Sequence, residues 1–196
     1  MAQQDINLGT VPNDATGEGL RDGGLKINAN FTELYGRTGF FDYNDLATAT
    51  TPITITGGAG FILLPNDELG SFTNKTYAPA NVTDIWDATG NVFDWTELEL
   101  GDTVDIRLDL ELVTTSANTQ IDVDLFLGTG GGAYQIPFVV EQNFKSAGTY
   151  KLNRFNSLYM GDSNTLDNGG TFQAKADNTC TIKVNGWYVR IIRRYF

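Results

Sequence analysis

Histidine, the side chain most often used to move protons near neutral pH, is absent from all 196 residues. That removes Ser-His-Asp and Cys-His nucleophile systems and every zinc site built on imidazole. The single Cys180 has no second thiol for a disulfide or a metal. It falls in an alternating apolar run and reads as a small buried core residue. Carboxylates remain, 24 of them against 13 Lys and Arg. A glycosidase pair needs two carboxyls about 5–9.5 Å apart across a groove, and the chain has no internal repeat that would build a long grooved scaffold. The run Gly128-Thr129-Gly130-Gly131-Gly132 lacks the Lys-Ser/Thr ending of a phosphate loop and reads as a hairpin turn. The stretch Gly161-Asp162-Ser163-Asn164-Thr165-Leu166-Asp167-Asn168-Gly169-Gly170 offers oxygen ligands at alternate positions. Leu166 interrupts them and no Glu closes the loop, so a polar surface turn is expected in place of a calcium site. The sequence thus predicts no catalytic residue, no cofactor and no metal. Tyr77, Trp86, Trp95, Tyr134 and Tyr159 are candidates for stacking on a glycan, with core burial the alternative for each.

Charge narrows the partners. A net charge of −11 repels phosphate backbones and argues against nucleic-acid binding. Between Asp84 and Asp124 there are eleven acids and one base, Arg107, whereas Lys183, Arg190, Arg193 and Arg194 crowd the C-terminal run. Two readings stay open: a solvated acidic sheet face, or acidic and basic stretches that meet across strands or between subunits. Met1-Ala2-Gln3-Gln4-Asp5 has neither the basic nor the apolar region of a signal peptide. No stretch approaches the roughly 18 apolar residues of a membrane span. A soluble protein assembled in a cytoplasm, without membrane insertion, is expected.

The elements that would position any site are mostly strands. Val104, Ile106, Leu108, Leu110 and Leu112 alternate with Asp105, Arg107, Asp109 and Glu111, placing apolar side chains on one face and charges on the other. Residues 120–127 repeat the pattern, and 61–64, 134–141, 148–152, 155–160, 171–176 and 180–193 are further strand candidates. Gly, Asn and Asp clusters separate them, the signature of an antiparallel sandwich or barrel. No helical crossover pattern follows residue 45, which excludes a parallel sheet. The expected fold is mainly β: an antiparallel jelly-roll β-sandwich with a short N-terminal helical attachment segment. Residues 71–97 hold aromatics without a clean period and read as a long decorated loop with two short strands.

The N-terminal segment differs. Leu20, Gly24, Ile27, Phe31 and Leu34 are spaced four, three, four and three apart, a coiled-coil seam two heptads long. As helix, residues 20–35 span about 24 Å. Isolated helices of about 12–15 residues are marginal, and Gly23 and Gly24 each cost about 1 kcal/mol relative to Ala. They make Leu25 a start as reasonable as Leu20. Such a helix is ordered only by docking on its own domain, on sister copies or on a larger assembly.

The same residues carry a resemblance. Asn13-Asp14-Ala15-Thr16-Gly17-Glu18-Gly19-Leu20-Arg21, followed by Lys26-Ile27-Asn28-Ala29-Asn30-Phe31-Thr32-Glu33-Leu34-Tyr35, resembles the N-terminal segment of tailed-bacteriophage virion proteins: tail fibres, tailspikes and other appendages. The resemblance implies a place in the virion and a segment that fastens the protein to the particle. Its attachment and oligomerisation residues would be Leu20, Gly24, Ile27, Asn28, Asn30, Phe31, Leu34 and Tyr35. Gly148-Thr149-Tyr150-Lys151-Leu152 and the closing strand ending in Tyr195-Phe196 resemble, at the level of pattern, trimeric jelly rolls of the C1q and tumour-necrosis-factor type. That likeness implies a homotrimer.

Together these features predict a non-enzymatic virion structural protein. Residues 1–38 form an arm and helix for attachment and trimerisation, 39–60 a linker with Pro52 and Gly57-Gly58, and 61–196 a jelly-roll head. The expected role is a short homotrimeric fibre or appendage whose head contacts the host surface. Its partners would be its own copies, other virion proteins of the capsid, tail or baseplate, and a host-surface glycan. The alternative is a capsid decoration or cement protein; from another class, a carbohydrate-binding or carbohydrate-active module.

Overall fold

The computed structural model describes residues 4–8, 10, 15–17 and 19–194. Asn13, Asp14 and Glu18 of the N-terminal motif and the closing Tyr195-Phe196 lie outside the described residues. In chain order the elements are α1 (Leu20–Tyr35), β1 (Thr38–Asn44), α2 (Ala47–Thr50), β2 (Ile53–Ile55), β3 (Ile62–Leu63), β4 (Trp86–Asp87), β5 (Val92–Phe93), β6 (Thr103–Thr114), β7 (Thr119–Leu127), β8 (Tyr134–Phe144), β9 (Gly148–Tyr159), α3 (Ser163–Asn168), β10 (Gly170–Ala176) and β11 (Cys180–Ile192).

Eight strands form two antiparallel sheets, β2-β11-β6-β9 facing β3-β10-β7-β8. Along these eight strands only β7–β8 stays within one sheet and every other connection crosses to the opposite one, which is the two-Greek-key order of a jelly roll. β1 lies beside β2 along β11, and β4 and β5 extend the second sheet from β10. The alternation in β6 and β7 sends Val104, Ile106, Leu108, Leu110 and Leu112, with Ile121, Val123, Leu125 and Leu127, into the space between the sheets. A slip of one residue would exchange these for charges, so the register is strongly fixed.

Several expectations change once pairing is visible. Residues 39–60 are part of the head and do not form a linker. β1 pairs with β11 from Thr38↔Ile192 to Asn44↔Gly186, and β2 pairs at Cys180↔Ile55. Phe41, Tyr43 and Ile55 from this stretch are wholly buried. Residues 71–97 do contain two short strands, β4 and β5, but the segment also supplies core. Trp86, Phe93 and Trp95 are buried, Trp86 meets Trp187 edge-to-face at 4.6 Å and Phe93 stacks on Trp95 at 4.8 Å. Buried aromatics of this size contribute beyond their area when so arranged. Upstream, residues 70–80 run along the outer edge of β1, with Phe40 N donating to Tyr77 O at 2.8 Å and Asp42 N to Asn74 O at 2.9 Å. A free sheet edge is thereby closed.

The two strand candidates at 148–152 and 155–160 are one continuous strand, β9, paired with β6 along its length. The loop weighed for calcium folds as α3. Asp162 caps it, accepting from Thr165 N at 2.8 Å and Thr165 Oγ1 at 3.1 Å, so both carboxylate oxygens serve the helix start. Cys180 is buried as expected, and burial, with Asp177 nearby, pushes its thiol up to about 11. The acidic and basic stretches meet across strands. Arg190 pairs with buried Asp105, and Lys183 reaches Glu111 at 3.6 Å, each between β11 and β6.

The junction between helix and head is also an ionic cluster. Arg193 Nε contacts the fully buried Asp102 at 2.8 Å, and Asp102 accepts from Glu99 N at 2.9 Å. Arg193 N donates to Arg37 O at 2.8 Å, while Arg37 Nη2 donates back to Arg193 O at 3.0 Å. Removing one partner of such a buried pair strands the other. Asp102→Ala is expected to destabilise the protein by about 3–5 kcal/mol in chemical unfolding.

A second cluster ties the edge-covering segment down. Lys75 bridges Glu68 at 2.6 Å and Asp84 at 2.5 Å, and Tyr43 Oη donates to Asp84 at 2.7 Å. Burial alone would raise the Asp84 carboxyl, but the hydrogen bonds from Lys75 and Tyr43 outweigh it and hold it below the ordinary value of 3.8. A carboxyl depressed on folding adds stability above its unfolded pKa and loses it as pH falls through the folded one. Thermal unfolding between pH 5 and pH 2 should therefore show an acid-side decline that Asp84→Asn flattens.

Candidate attachment interface

α1 begins at Leu20, so Gly23 and Gly24 lie inside the helix and do not precede it. Their reason is spatial. An extended arm, residues 4–8, runs antiparallel along one side of the helix. Gln4 N donates to Asn30 Oδ1 at 3.0 Å and Asn30 Nδ2 donates to Gln4 O at 2.9 Å, so the side-chain amide imitates one rung of a sheet. Lys26 Nζ reaches Asp5 O at 2.8 Å. A Cβ on Gly23 would sit 3.4 Å from Ile6 Cγ2, and Gly23 is buried beneath the arm. Open space surrounds the Cβ position of Gly24.

The apolar stripe lies about a quarter-turn round the helix from the arm. Leu20 is 96% exposed, Phe31 51% and Leu34 57%, with Ile27 and Tyr35 also exposed. Tyr35 stacks on Phe31 at 6.2 Å between ring centres. Asn28 is exposed beside them. Of the eight residues singled out in the sequence, Asn30 faces the arm, while Leu20, Ile27, Phe31 and Leu34 form a continuous uncovered stripe. Lys26 and Gly23 were missed as arm contacts. Their only sequence signal was the pair of glycines in an otherwise ordinary helix, where close backbone approach is the usual reason. Burying each large side chain of the stripe would contribute about 1.5–3 kcal/mol, a substantial reward for a helix that is marginal alone.

The glycan-stacking candidates divide. Trp86 and Trp95 take the alternative of core burial, placed there by the strands flanking them; Tyr77, Tyr134 and Tyr159 are exposed. Among the described residues no group of His, Cys, Asp and Glu could hold a metal ion, and no helix is long and apolar enough to cross a membrane.

Comparison with known proteins places this geometry. Residues 3–119 match the family described as "Bacteriophage T4 gp9/10-like protein, N-terminal". The match extends beyond the arm and helix through β6, so it includes the first part of the sandwich. Baseplate wedge protein gp10 of Enterobacteria phage T4 is 57% identical over 37 residues, which are 19% of this chain and 6% of that protein. Solved structures with some likeness include the tumour-necrosis-factor protein Eiger from S. frugiperda, at 9% identity, TM-score 0.41, over 81% of this chain and 93% of that one. The CBM22-1 xylan-binding domain of Paenibacillus barcinonensis Xyn10C aligns at 12% identity, TM-score 0.38, over 79% and 94%. The infectious bursal disease virus VP2 subviral particle aligns at 9% identity, TM-score 0.40, over 80% and 32%. At these scores the jelly-roll assignment rests on the strand order described above. With more than half its length matched by one family model, the chain belongs to the bacteriophage T4 gp9/10-like N-terminal family and is a structural component of the phage virion.

Proposed function

We propose that this chain is a non-enzymatic, homotrimeric appendage fastened to the particle by its arm and helix, with the jelly-roll head turned outward to the host surface. The observation that carries this reading is the uncovered stripe of Leu20, Ile27, Phe31 and Leu34, held at heptad-like spacing and left unburied by the chain's own sandwich. Three copies would cover one another's stripes. The stripe's outer rim and the arm would then meet the neighbouring virion protein. The name of the T4 relative, a baseplate wedge protein, favours the baseplate over the capsid as the docking partner. It therefore favours an appendage over a capsid decoration protein. The junction at Arg37, Asp102 and Arg193, made of two hydrogen bonds and one ion pair, favours a role in which helix and head keep one orientation.

Ile27→Asp with Phe31→Asp should convert the trimer to monomers in sedimentation velocity while the β-rich circular dichroism is retained, because both residues are exposed in the single chain. A species of unchanged mass would sink the helix as the assembly surface. Removal of residues 1–35, a cut that spares the bonds of Gly36, Arg37 and Thr38 to the head, should abolish incorporation into particles. Normal loading of the truncated chain would show that the anchor lies elsewhere.

A further inference from the structure

β11 changes parity in its middle. Cys180, Ile182 and Val184 face the core, and then Trp187, Val189 and Ile191 do. The inward positions shift by one, and the pairing with β6 carries a bulge between Val184 and Gly186. Asn185 is the extra residue. Gly186 sits at φ +145°, with Tyr43 O 2.1 Å from where a Cβ would be, so a side chain there would clash with backbone. The disrupted backbone is met by the segment after β1. Val184 N donates to Thr48 Oγ1 at 2.8 Å, and Asp45 N donates to Asn185 O at 3.4 Å. Thr48 and Asp45 are both buried. Such bulges commonly re-aim a side chain next to a functional site.

Asn185 lines a groove on the outer face of the first sheet, between Asp42 and Asn44 of β1, Arg107 and Asp109 of β6, and Asn153 of β9. These groups are pre-positioned on strands. Arg107 Nε donates to Asp109 at 2.8 Å, Asn153 Nδ2 donates to the other Asp109 oxygen, and Asn44 Nδ2 donates to Asp42 at 2.8 Å. Arg107 is further held against the Tyr188 ring at 5.4 Å. Two groups are uncommitted: the side chains of Asn185 and Lys151 make no hydrogen bond or ion pair among the described residues. On the rim, Phe72 is 79% exposed and has no ring partner among the described residues.

Asp42 and Asp109 balance Arg107 and Lys151, so the groove carries little net charge to attract an ionic ligand. Its amides and carboxylates offer closely spaced donors and acceptors that suit adjacent hydroxyls. A protein partner fits less well, since interface cores are depleted of charge and enriched in aromatics. We propose that this groove binds a neutral, hydroxyl-rich saccharide, with Phe72 stacking on a sugar face and Asn44, Asn153 and Asn185 bonding its hydroxyls. The site deepens the host-contact part of the function proposed above and rests on it.

The test uses the purified full chain on an array of neutral and anionic glycans, followed by titration of a retained neutral oligosaccharide. Retention of neutral glycans is expected, with Phe72→Ala and Asn153→Ala each weakening binding by about tenfold or more, equivalent to about 1.4 kcal/mol. Tyr134→Ala, an exposed aromatic outside the groove, should leave binding unchanged. Phe72 is so exposed that its truncation leaves the fold intact, which separates a lost contact from a lost structure. An array without neutral binders, or Phe72→Ala and Asn153→Ala chains that bind like the parent, overturns the proposal. Because no particle is involved, a failed groove is distinguishable from a failed anchor, which the incorporation assay reports.

Discussion

The head depends on β11, the strand to which β6, β1 and β2 all pair. On one flank it pairs with β6 from Cys180↔Thr114 to Ile192↔Thr103; on the other it carries β2 and then β1. Its inward residues, from Cys180 to Ile191, share one core with those of β7 and β10, and Trp187 meets Phe172 of β10 at 5.4 Å between ring centres. Burial of two facing apolar surfaces is the dominant favourable term in such a fold. It also determines where the polar groups go: Asp105, Glu111, Lys183 and Arg190 are left on the outer face of the same strands, close enough to neutralise one another. Much of the acidic excess on β6 is therefore answered within the chain.

That arrangement explains a division between a closed head and an unfinished N-terminal segment. The head closes one edge with residues 70–80, ties that segment through Lys75, Asp84 and Tyr43, and locks its base with Asp102 and Arg193. The helix is joined to this base through Gly36 and Arg37 but keeps its apolar stripe in solvent. The arm satisfies the side of the helix that carries Gly23, Lys26 and Asn30 and goes no further. The head is thus closed on itself, whereas the helix leaves an apolar stripe uncovered.

Legibility in the sequence followed the range of each signal. β6 and β7 were readable to within a residue or two because their alternation is local and uninterrupted. The helical stripe was readable for the same reason. Residues 39–60 were misread as a linker because β2 is only three residues long, between Pro52 and Gly57-Gly58, and the adjacent Phe40-Phe41 blurs the alternation of β1. Only β11, some 140 residues away, shows that they are edge strands. Residues 71–97 gave no period because they wrap an edge and insert aromatics singly. The groove at Asn185 was overlooked although a sign was present. The switch from Cys180-Ile182-Val184 to Trp187-Val189-Ile191 across Asn185-Gly186 cannot be accommodated by a regular strand and implies a bulge.

The sequence by itself determined the chemistry available, the mainly β antiparallel class and the amphipathic helix, because side-chain type and period are properties of neighbouring residues. Tertiary structure alone decided which strands pair, that β1 and β2 close the first sheet, that the arm covers one flank of α1, and that Asn44, Asn153 and Asn185 share one groove. Those facts depend on contacts between distant parts of the chain, and such contacts acquire a definite register only when both faces of the sandwich are present at once.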